Sequence, residues 1–173
     1  MTIRQCILLF PDLTNREQID RYRSRFDPLA GKIVPHVTLV FPFAAKGLEG
    51  EALADHVAER IRGMGAFELE AALPAVFEKG YVYLRIDAGG RQIQRLHDSL
   101  YTDGLRSFLR TDVDYIPHIT IGRFADAITE REAREAAAVL SGPFRARIHE
   151  ILIERIGADE ESIVVSRLPL EAV

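Results

Sequence analysis

A short phrase occurs once in each half of this sequence and constrains the fold more than any other feature. The first copy is Pro35-His36-Val37-Thr38-Leu39, and the second, about half the chain further on, is Pro117-His118-Ile119-Thr120-Ile121. Because successive side chains of a strand point to opposite faces, each histidine shares a face with its threonine. The aliphatic faces predict burial in a core, and the polar faces predict that the two copies meet across a cleft.

The elements around the two phrases also recur, in the order strand, helix, histidine strand, helix, strand. Apolar periodicity and turn residues predict strands over about 3–10, 36–43, 67–71, 81–86, 118–124, 144–155 and 162–168, and helices over about 15–25, 51–62, 92–109 and 129–140. Thr14 with Glu17, and Thr129 with Glu132, predict capping boxes. The recurrence favours an internal duplication. We expect a single domain, 1–173, made of two lobes, about 1–78 and 79–173, with strands that can be exchanged between them.

Charge and cysteine content narrow the functional classes. The 173 residues carry 22 basic and 26 acidic side chains, a net charge of −4, which argues against long-duplex DNA binding because such binding needs many Lys and Arg contacts to phosphate. A small phosphate ester remains compatible with this charge. The single cysteine, Cys6, excludes an internal disulfide and fits a reducing compartment. The apolar run near the start is too short for a membrane span. We therefore expect a cytoplasmic monomer without membrane contact.

Two imidazoles and two hydroxyls facing one cleft suit the cleavage of a phosphodiester. One neutral histidine can take a proton from the attacking water or hydroxyl, and the other, protonated, can give one to the leaving oxygen. The ordinary histidine pKa of about 6.5 allows both forms near neutral pH. The threonine hydroxyls can donate to the phosphate oxygens, where charge builds up in the transition state. The predicted catalytic residues are therefore His36, Thr38, His118 and Thr120.

Three further residues are candidates for substrate binding. Arg123 can contact phosphate, although simple alternation places it on the face opposite His118, so that a bulge or a twist at Gly122 would be needed. Tyr83 either stacks on a base or serves as a core or rim residue, and the same alternatives hold for Phe10. The remaining histidines lack the context of the phrase and are interpreted as structural or exposed: His56, His97 and His149.

On these phrases the chain resembles the two-histidine phosphoesterase superfamily, in particular the bacterial 2′-5′ RNA ligase-like proteins. That family carries two His-x-Thr/Ser-x motifs, which His36-Val37-Thr38-Leu39 and His118-Ile119-Thr120-Ile121 match. The resemblance implies an α+β fold of two pseudo-symmetric lobes around a central cleft, each a mainly antiparallel sheet with helices on its outer face. It also implies action on cyclic phosphodiesters, often 2′,3′-cyclic phosphates at RNA ends, or 2′-5′ ligation, with no metal cofactor. Val40-Phe41-Pro42-Phe43 and Gly122-Arg123 depart from the phrases that often follow the motifs in the family and indicate a divergent branch.

Two other functions remain open at this point. The same cleft can hold a nucleotide or an RNA end without turnover, as a binding module. Alternatively, His36 and His118 can hold a metal ion, although metal-binding histidines usually have carboxylates or cysteines nearby, and neither phrase has one.

Overall fold

The computed structural model describes residues 3–172 as an arrangement of strands and helices. The strands are β1 (Gln5–Leu9), β2 (Val37–Phe43), β3 (Phe67–Glu78), β4 (Tyr81–Ile86), β5 (His118–Arg123), β6 (Phe144–Ile148), β7 (Glu150–Ile156) and β8 (Ser162–Pro169). The helices are α1 (Arg16–Phe26), α2 (Glu51–Arg60), α3 (Gly90–Leu100) and α4 (Ala127–Ala137), with a 3₁₀ segment at Asp103–Phe108. None of the helices within residues 3–172 has the length and apolar character needed to cross a membrane.

The strands form two four-stranded antiparallel sheets. Sheet 1 has the order β2-β1-β7-β8, and sheet 2 has the order β5-β4-β3-β6. The two histidine strands occupy equivalent places, because β2 is an edge strand of sheet 1 and β5 is an edge strand of sheet 2. The predicted α+β class with two antiparallel sheets is confirmed.

The sheets do not follow the two halves of the sequence. Strand β3 pairs with β4 across a tight turn at Lys79 and Gly80, both at positive φ, 49° and 83°. A two-residue turn of this kind matches the twist of the flanking strands, so β3 is drawn into the sheet of the second half. Strand β7, from the second half, instead pairs with β1. The helices cross over as well, since α1 packs against β5 and α3 against β2.

The core is built from the faces that the strand patterns predict. All five residues of β1 are buried, as expected for a central strand covered on both faces, and β6 alternates buried and exposed positions. In the motif strands the aliphatic residues are 0–1% exposed: Val37, Leu39, Ile119 and Ile121. Burying each such side chain stabilises the fold by roughly 1.5–3 kcal/mol. Their burial fixes the polar face of each motif on the opposite side.

Three predicted elements have the wrong ends. The strand predicted over 67–71 continues as β3 to Glu78. The third helix stops at Leu100 rather than near residue 109, because the Thr102 hydroxyl donates to the Ser99 carbonyl at 3.1 Å and Asp103 turns the chain with a φ of 47°. The predicted long strand over 144–155 is interrupted at His149 and divides into β6 and β7. That interruption lets the chain leave sheet 2 and enter sheet 1.

Both predicted capping boxes are also corrected. Thr14 does not cap α1, because its hydroxyl accepts a hydrogen bond from the Arg145 backbone amide at 2.9 Å and ties the chain to β6. The cap is Asn15, in the left-handed conformation and without a side-chain hydrogen bond. At α4 the cap is Asp126, whose carboxylate accepts from the Thr129 amide at 2.8 Å, so Thr129 is the third helical residue rather than the cap.

Candidate active site

The two motifs come together where the edges of the sheets meet. Strands β2 and β5 approach within 8 Å between Cα atoms. His36 directly precedes β2, which contains Thr38, and β5 contains both His118 and Thr120. All four side chains are half-buried, in contrast to the fully buried aliphatic residues between them. The chain therefore presents both polar faces toward the junction of the sheets.

Both imidazole rings are held by the same local hydrogen bond. The Nδ1 atom of His36 lies 2.9 Å from the Val34 carbonyl oxygen, and that of His118 lies 2.6 Å from the Ile116 carbonyl oxygen. Because a carbonyl oxygen only accepts, Nδ1 carries the hydrogen in each ring. The Nε2 atom is then left as a proton acceptor in the neutral form and as a donor in the charged form. Each ring is thus oriented for proton transfer through Nε2.

His36 has the drier surroundings of the two. The Phe10 ring meets it edge-on, with ring centroids 6.4 Å apart. Burial lowers the pKa of His36 below its ordinary value of 6.5, and the positive charge of Arg23 acts in the same direction, while the bond to Val34 opposes it. The positive charge of a protonated His118 lowers the pKa of His36 further. His36 is therefore neutral at neutral pH.

His118 lies against an aromatic residue of the neighbouring strand. The Tyr83 ring is 4.9 Å from it between centroids, tilted by 55°, and the Tyr83 hydroxyl donates to Glu78 at 2.9 Å. Tyr83 pairs directly with Thr120 in the ladder between β4 and β5. Its ring is thus on the same face as the second motif and packs on it.

A bulge changes the face of Arg123. Tyr83 pairs with Thr120, but Val82 pairs with Gly122, so that β5 has one extra residue at this point. Arg123 then pairs with Tyr81 and lies on the same face as Thr120, which corrects the simple alternation predicted from sequence. The Arg123 guanidinium carbon is 5.2 Å from the Tyr81 ring centroid.

Close packing of α1 explains why a glycine stands at the bulge. A Cβ on Gly122 would lie 3.1 Å from the Phe26 Cβ and 3.2 Å from the Tyr22 Cε1, tighter than ordinary contacts. Helix α1 can therefore approach β5 only because residue 122 has no side chain. The bulge and the helix contact occur at the same residue.

A tyrosine that the sequence did not single out joins the two motif strands. The Tyr115 hydroxyl donates to the Thr38 carbonyl oxygen at 2.7 Å, and the Tyr115 ring stacks on His97 at 3.7 Å and 16°. A second tyrosine, Tyr101, accepts a hydrogen bond from the Phe41 backbone amide at 3.0 Å. Because β2 is an edge strand, these bonds satisfy backbone groups that no neighbouring strand can reach. The one signal in the sequence that could have pointed to Tyr115 is its position close before the second motif.

Two further observations delimit the site. A cavity of about 570 Å³ lies on the other side of Val34, between α1 and residues 30–34, and none of the four motif side chains lines it. Within residues 3–172 no group of three or more His, Cys, Asp or Glu side chains has the arrangement of a metal site. The geometry therefore favours a reaction carried out by the two His-x-Thr motifs.

Two antiparallel sheets that meet at edges bearing His-x-Thr pairs define the class of two-histidine phosphoesterases. The chain belongs to the 2′-5′ RNA ligase superfamily, whose sequence model matches residues 10–160. A protein of Staphylococcus aureus (strain Newman) named “Putative phosphoesterase” is 24% identical over 157 residues, which cover 90% of this chain and 91% of that protein.

Solved structures share the fold at low sequence identity. Escherichia coli LigT complexed with 3′-AMP has a TM-score of 0.69 and 19% identity, covering 98% of this chain and 99% of that one. Kluyveromyces marxianus Usb1 with uridine monophosphate has a TM-score of 0.54 and 13% identity, covering 98% of each chain. These likenesses establish the two-sheet fold.

Proposed function

We propose that the protein is a metal-independent phosphoesterase that hydrolyses a 2′,3′-cyclic nucleotide or a phosphodiester at an RNA end. The observation that carries this proposal is the matched pair of imidazoles, each with Nδ1 bound to a carbonyl oxygen two residues earlier, so that both Nε2 atoms are available for proton transfer. The family and its phosphoesterase-named relatives support the reaction class. The nucleotides bound to LigT and Usb1 in their structures support the substrate class.

The two histidines take different roles in this proposal. His36, whose pKa is lowered by burial, is the general base, and its Nε2 accepts a proton from the attacking water. The water oxygen forms a bond to phosphorus, and the bond from phosphorus to one ribose oxygen breaks. Protonated His118 gives its Nε2 proton to that leaving oxygen. The product is a nucleoside monophosphate. If the 5′-hydroxyl of a second RNA end attacks in place of water and the bond from phosphorus to the 3′ oxygen breaks, the same two proton transfers give a 2′-5′ linkage.

The remaining residues of the face bind the substrate or shield the two histidines from water. The hydroxyls of Thr38 and Thr120 donate to the phosphate oxygens that carry the developing charge. Arg123 adds a positive charge beyond Thr120, on the face to which the bulge brings it. Tyr83 and Phe10 pack against the two histidines and limit the access of water to them. Phe10 in this way keeps His36 neutral.

Hydrolysis of 2′,3′-cyclic nucleotides, followed by phosphorus NMR in the presence of a chelator, tests the proposal. We expect product from the wild type, and at least a 10²-fold loss in kcat for His36→Ala and for His118→Ala, consistent with the value of a positioned acid or base. His149→Ala is the matched control, because His149 is exposed and lies between β6 and β7. Full activity in either motif variant contradicts the assigned roles.

The same experiment separates the alternatives. Activity that disappears with the chelator and returns with a divalent metal ion would favour the metal site. Tight nucleotide binding by calorimetry with no product over hours would favour the binding module. Substrates with 2′-5′ and 3′-5′ linkages, assayed in both directions, distinguish a hydrolase from a ligase.

A further inference from the structure

The two sides of the active-site face differ in charge at equivalent positions. On sheet 1, Leu8 pairs with Thr38, and continuing this register places Phe10 opposite His36. On sheet 2, the corresponding residue opposite His118 is Arg85. The internal symmetry of the fold is therefore broken directly beside the two histidines, with an apolar ring on one side and a cation on the other.

The other end of each motif shows the same difference. A bulge in β2 pairs Val40 with Ile7, so that Phe41, the fifth residue after His36, lies on the face of Thr38. Because of the bulge in β5, Arg123, the fifth residue after His118, occupies the equivalent place on sheet 2. Two phenylalanines thus bracket the first motif, and two arginines bracket the second.

Arg85 presents an exposed positive charge to solvent. Its side chain is exposed, and no carboxylate within residues 3–172 forms an ion pair with it. Burial and the nearby Glu78 raise the pKa of Tyr83, and the Arg85 guanidinium opposes this rise, which places it beside the phenol. Tyr83 in turn packs on His118. The cation therefore lies next to the second motif.

The strand order shows which phosphate Arg85 can reach. Strands β2, β5 and β4 follow one another across the site. His36 directly precedes β2, His118 lies in β5 and Arg85 lies in β4. A phosphate between the two histidines is separated from the β4 strand by β5, and neighbouring strands lie about 4.8 Å apart. Arg85 is thus behind His118, in a place suited to a second anionic group rather than to the reacting phosphorus.

We propose that Arg85 binds a second phosphate of the substrate, so that the enzyme prefers nucleotide ends that carry a further phosphate one ribose away from the reacting one. The phosphorylated chain then lies over sheet 2, because the equivalent place on sheet 1 is filled by Phe10 and offers an anion no partner. This inference rests on the proposed phosphoesterase function and gives that function a substrate class and a direction of binding.

Calorimetry with product analogues tests the inference without requiring turnover. Adenosine 3′,5′-bisphosphate and adenosine 3′-monophosphate differ by the second phosphate alone. We expect the wild type to bind the bisphosphate roughly tenfold more tightly, the lower range for a hydrogen bond between charged groups. Arg85→Gln is expected to abolish this preference. Arg95→Gln, at an exposed arginine of α3, is the matched control and is expected to keep it.

Each other outcome overturns a defined part of the reasoning. Equal dissociation constants for the two ligands in the wild type refute the second phosphate site while leaving the phosphoesterase proposal in place. A preference that persists in Arg85→Gln refutes the assignment to Arg85. If neither nucleotide binds to the wild type, both the inference and the proposed function fail. Melting temperatures of the variants, measured alongside, show whether the exposed substitution has disturbed the fold.

Discussion

Removing the Tyr115 hydroxyl tests whether the first motif is held in place from the other half of the chain. That hydroxyl donates to the Thr38 carbonyl oxygen at 2.7 Å, and burial raises the pKa of Tyr115 so far that it stays a donor at any working pH. Tyr115→Phe removes the bond and leaves the carbonyl without this partner, which costs about 1–2 kcal/mol. For a chain of this length the melting temperature then falls by about 2–8 °C.

The activity change should exceed this modest loss of stability. In the proposed function Thr38 holds the phosphate, and a small displacement of its strand would misalign it with the second motif. Since positioning can be worth up to 10²-fold for an ångström, we expect kcat to fall about tenfold with KM little changed. Urea denaturation gives the free energy of unfolding, and steady-state kinetics on the cyclic nucleotide give kcat and KM separately.

A second tyrosine provides the matched control. The Tyr22 hydroxyl donates to the Ala133 carbonyl oxygen at 3.0 Å, which links α1 to α4 outside the motif strands. Tyr22→Phe removes a buried bond of the same chemistry but keeps the ring that packs beside Gly122, so it should cost a similar free energy of unfolding without lowering kcat. Equal effects on kcat in the two variants, or an unchanged kcat in Tyr115→Phe, would refute a positioning role for Tyr115.

Four further predictions follow from buried and half-buried groups. Phe10→Ala admits water to His36 and should move the acid limb of kcat/KM upward toward 6.5; an unmoved limb in the pH profile contradicts the desolvation argument. The folded pKa of His36 lies below its unfolded value, so the unfolded chain binds this proton first as the pH is lowered. The free energy of unfolding should therefore fall as the pH drops from about 6.5 to the folded pKa. His36→Gln should flatten this pH dependence in urea titrations. Arg23→Met leaves the buried Asp27 carboxylate without its ion-pair partner and should lower the free energy of unfolding by about 3–5 kcal/mol. Adding Asp27→Asn should recover part of this loss. Equal losses in the single and the double variant would contradict the pairing. The Cys6 thiol, 2% exposed and with its pKa raised by burial, should react with a chromogenic disulfide only after unfolding; rapid labelling of the native protein would refute this.

The sequence predicted the local geometry of the motifs because that geometry depends on strand periodicity alone. Val37 and Ile119 are buried as the alternation required, and the histidine and threonine on either side of each share the opposite face. The α+β class was predicted for the same reason, together with the family resemblance. The catalytic roles of His36 and His118 are predictions that the variants above test, and those of Thr38 and Thr120 remain predictions.

Features that depend on contacts between distant residues could not be read from local patterns. The bulge that turns Arg123 onto the site coincides with the contact between Gly122 and α1, which no periodicity reveals. Tyr115 lies in a loop without a repeating pattern, and its partner Thr38 is 77 residues away. The predicted end of α3 was wrong because the apolar spacing in the sequence continues past Leu100. There the Thr102 side chain competes with the helix for a backbone carbonyl.

The exchange of elements between halves explains how two edge strands can form one rigid site. An edge strand is normally the least restrained part of a sheet, because half of its backbone groups have no partner strand. Here β2 is restrained because its Phe41 amide donates to Tyr101 and its Thr38 carbonyl oxygen accepts from Tyr115. Strand β5 is restrained by the close approach of α1 to Gly122. Each histidine strand is thus held by an element from the other half of the chain. Separating the halves would remove the restraints on both motifs at once, so the distance between the two imidazoles is a property of the whole interlocked fold and not of either sheet.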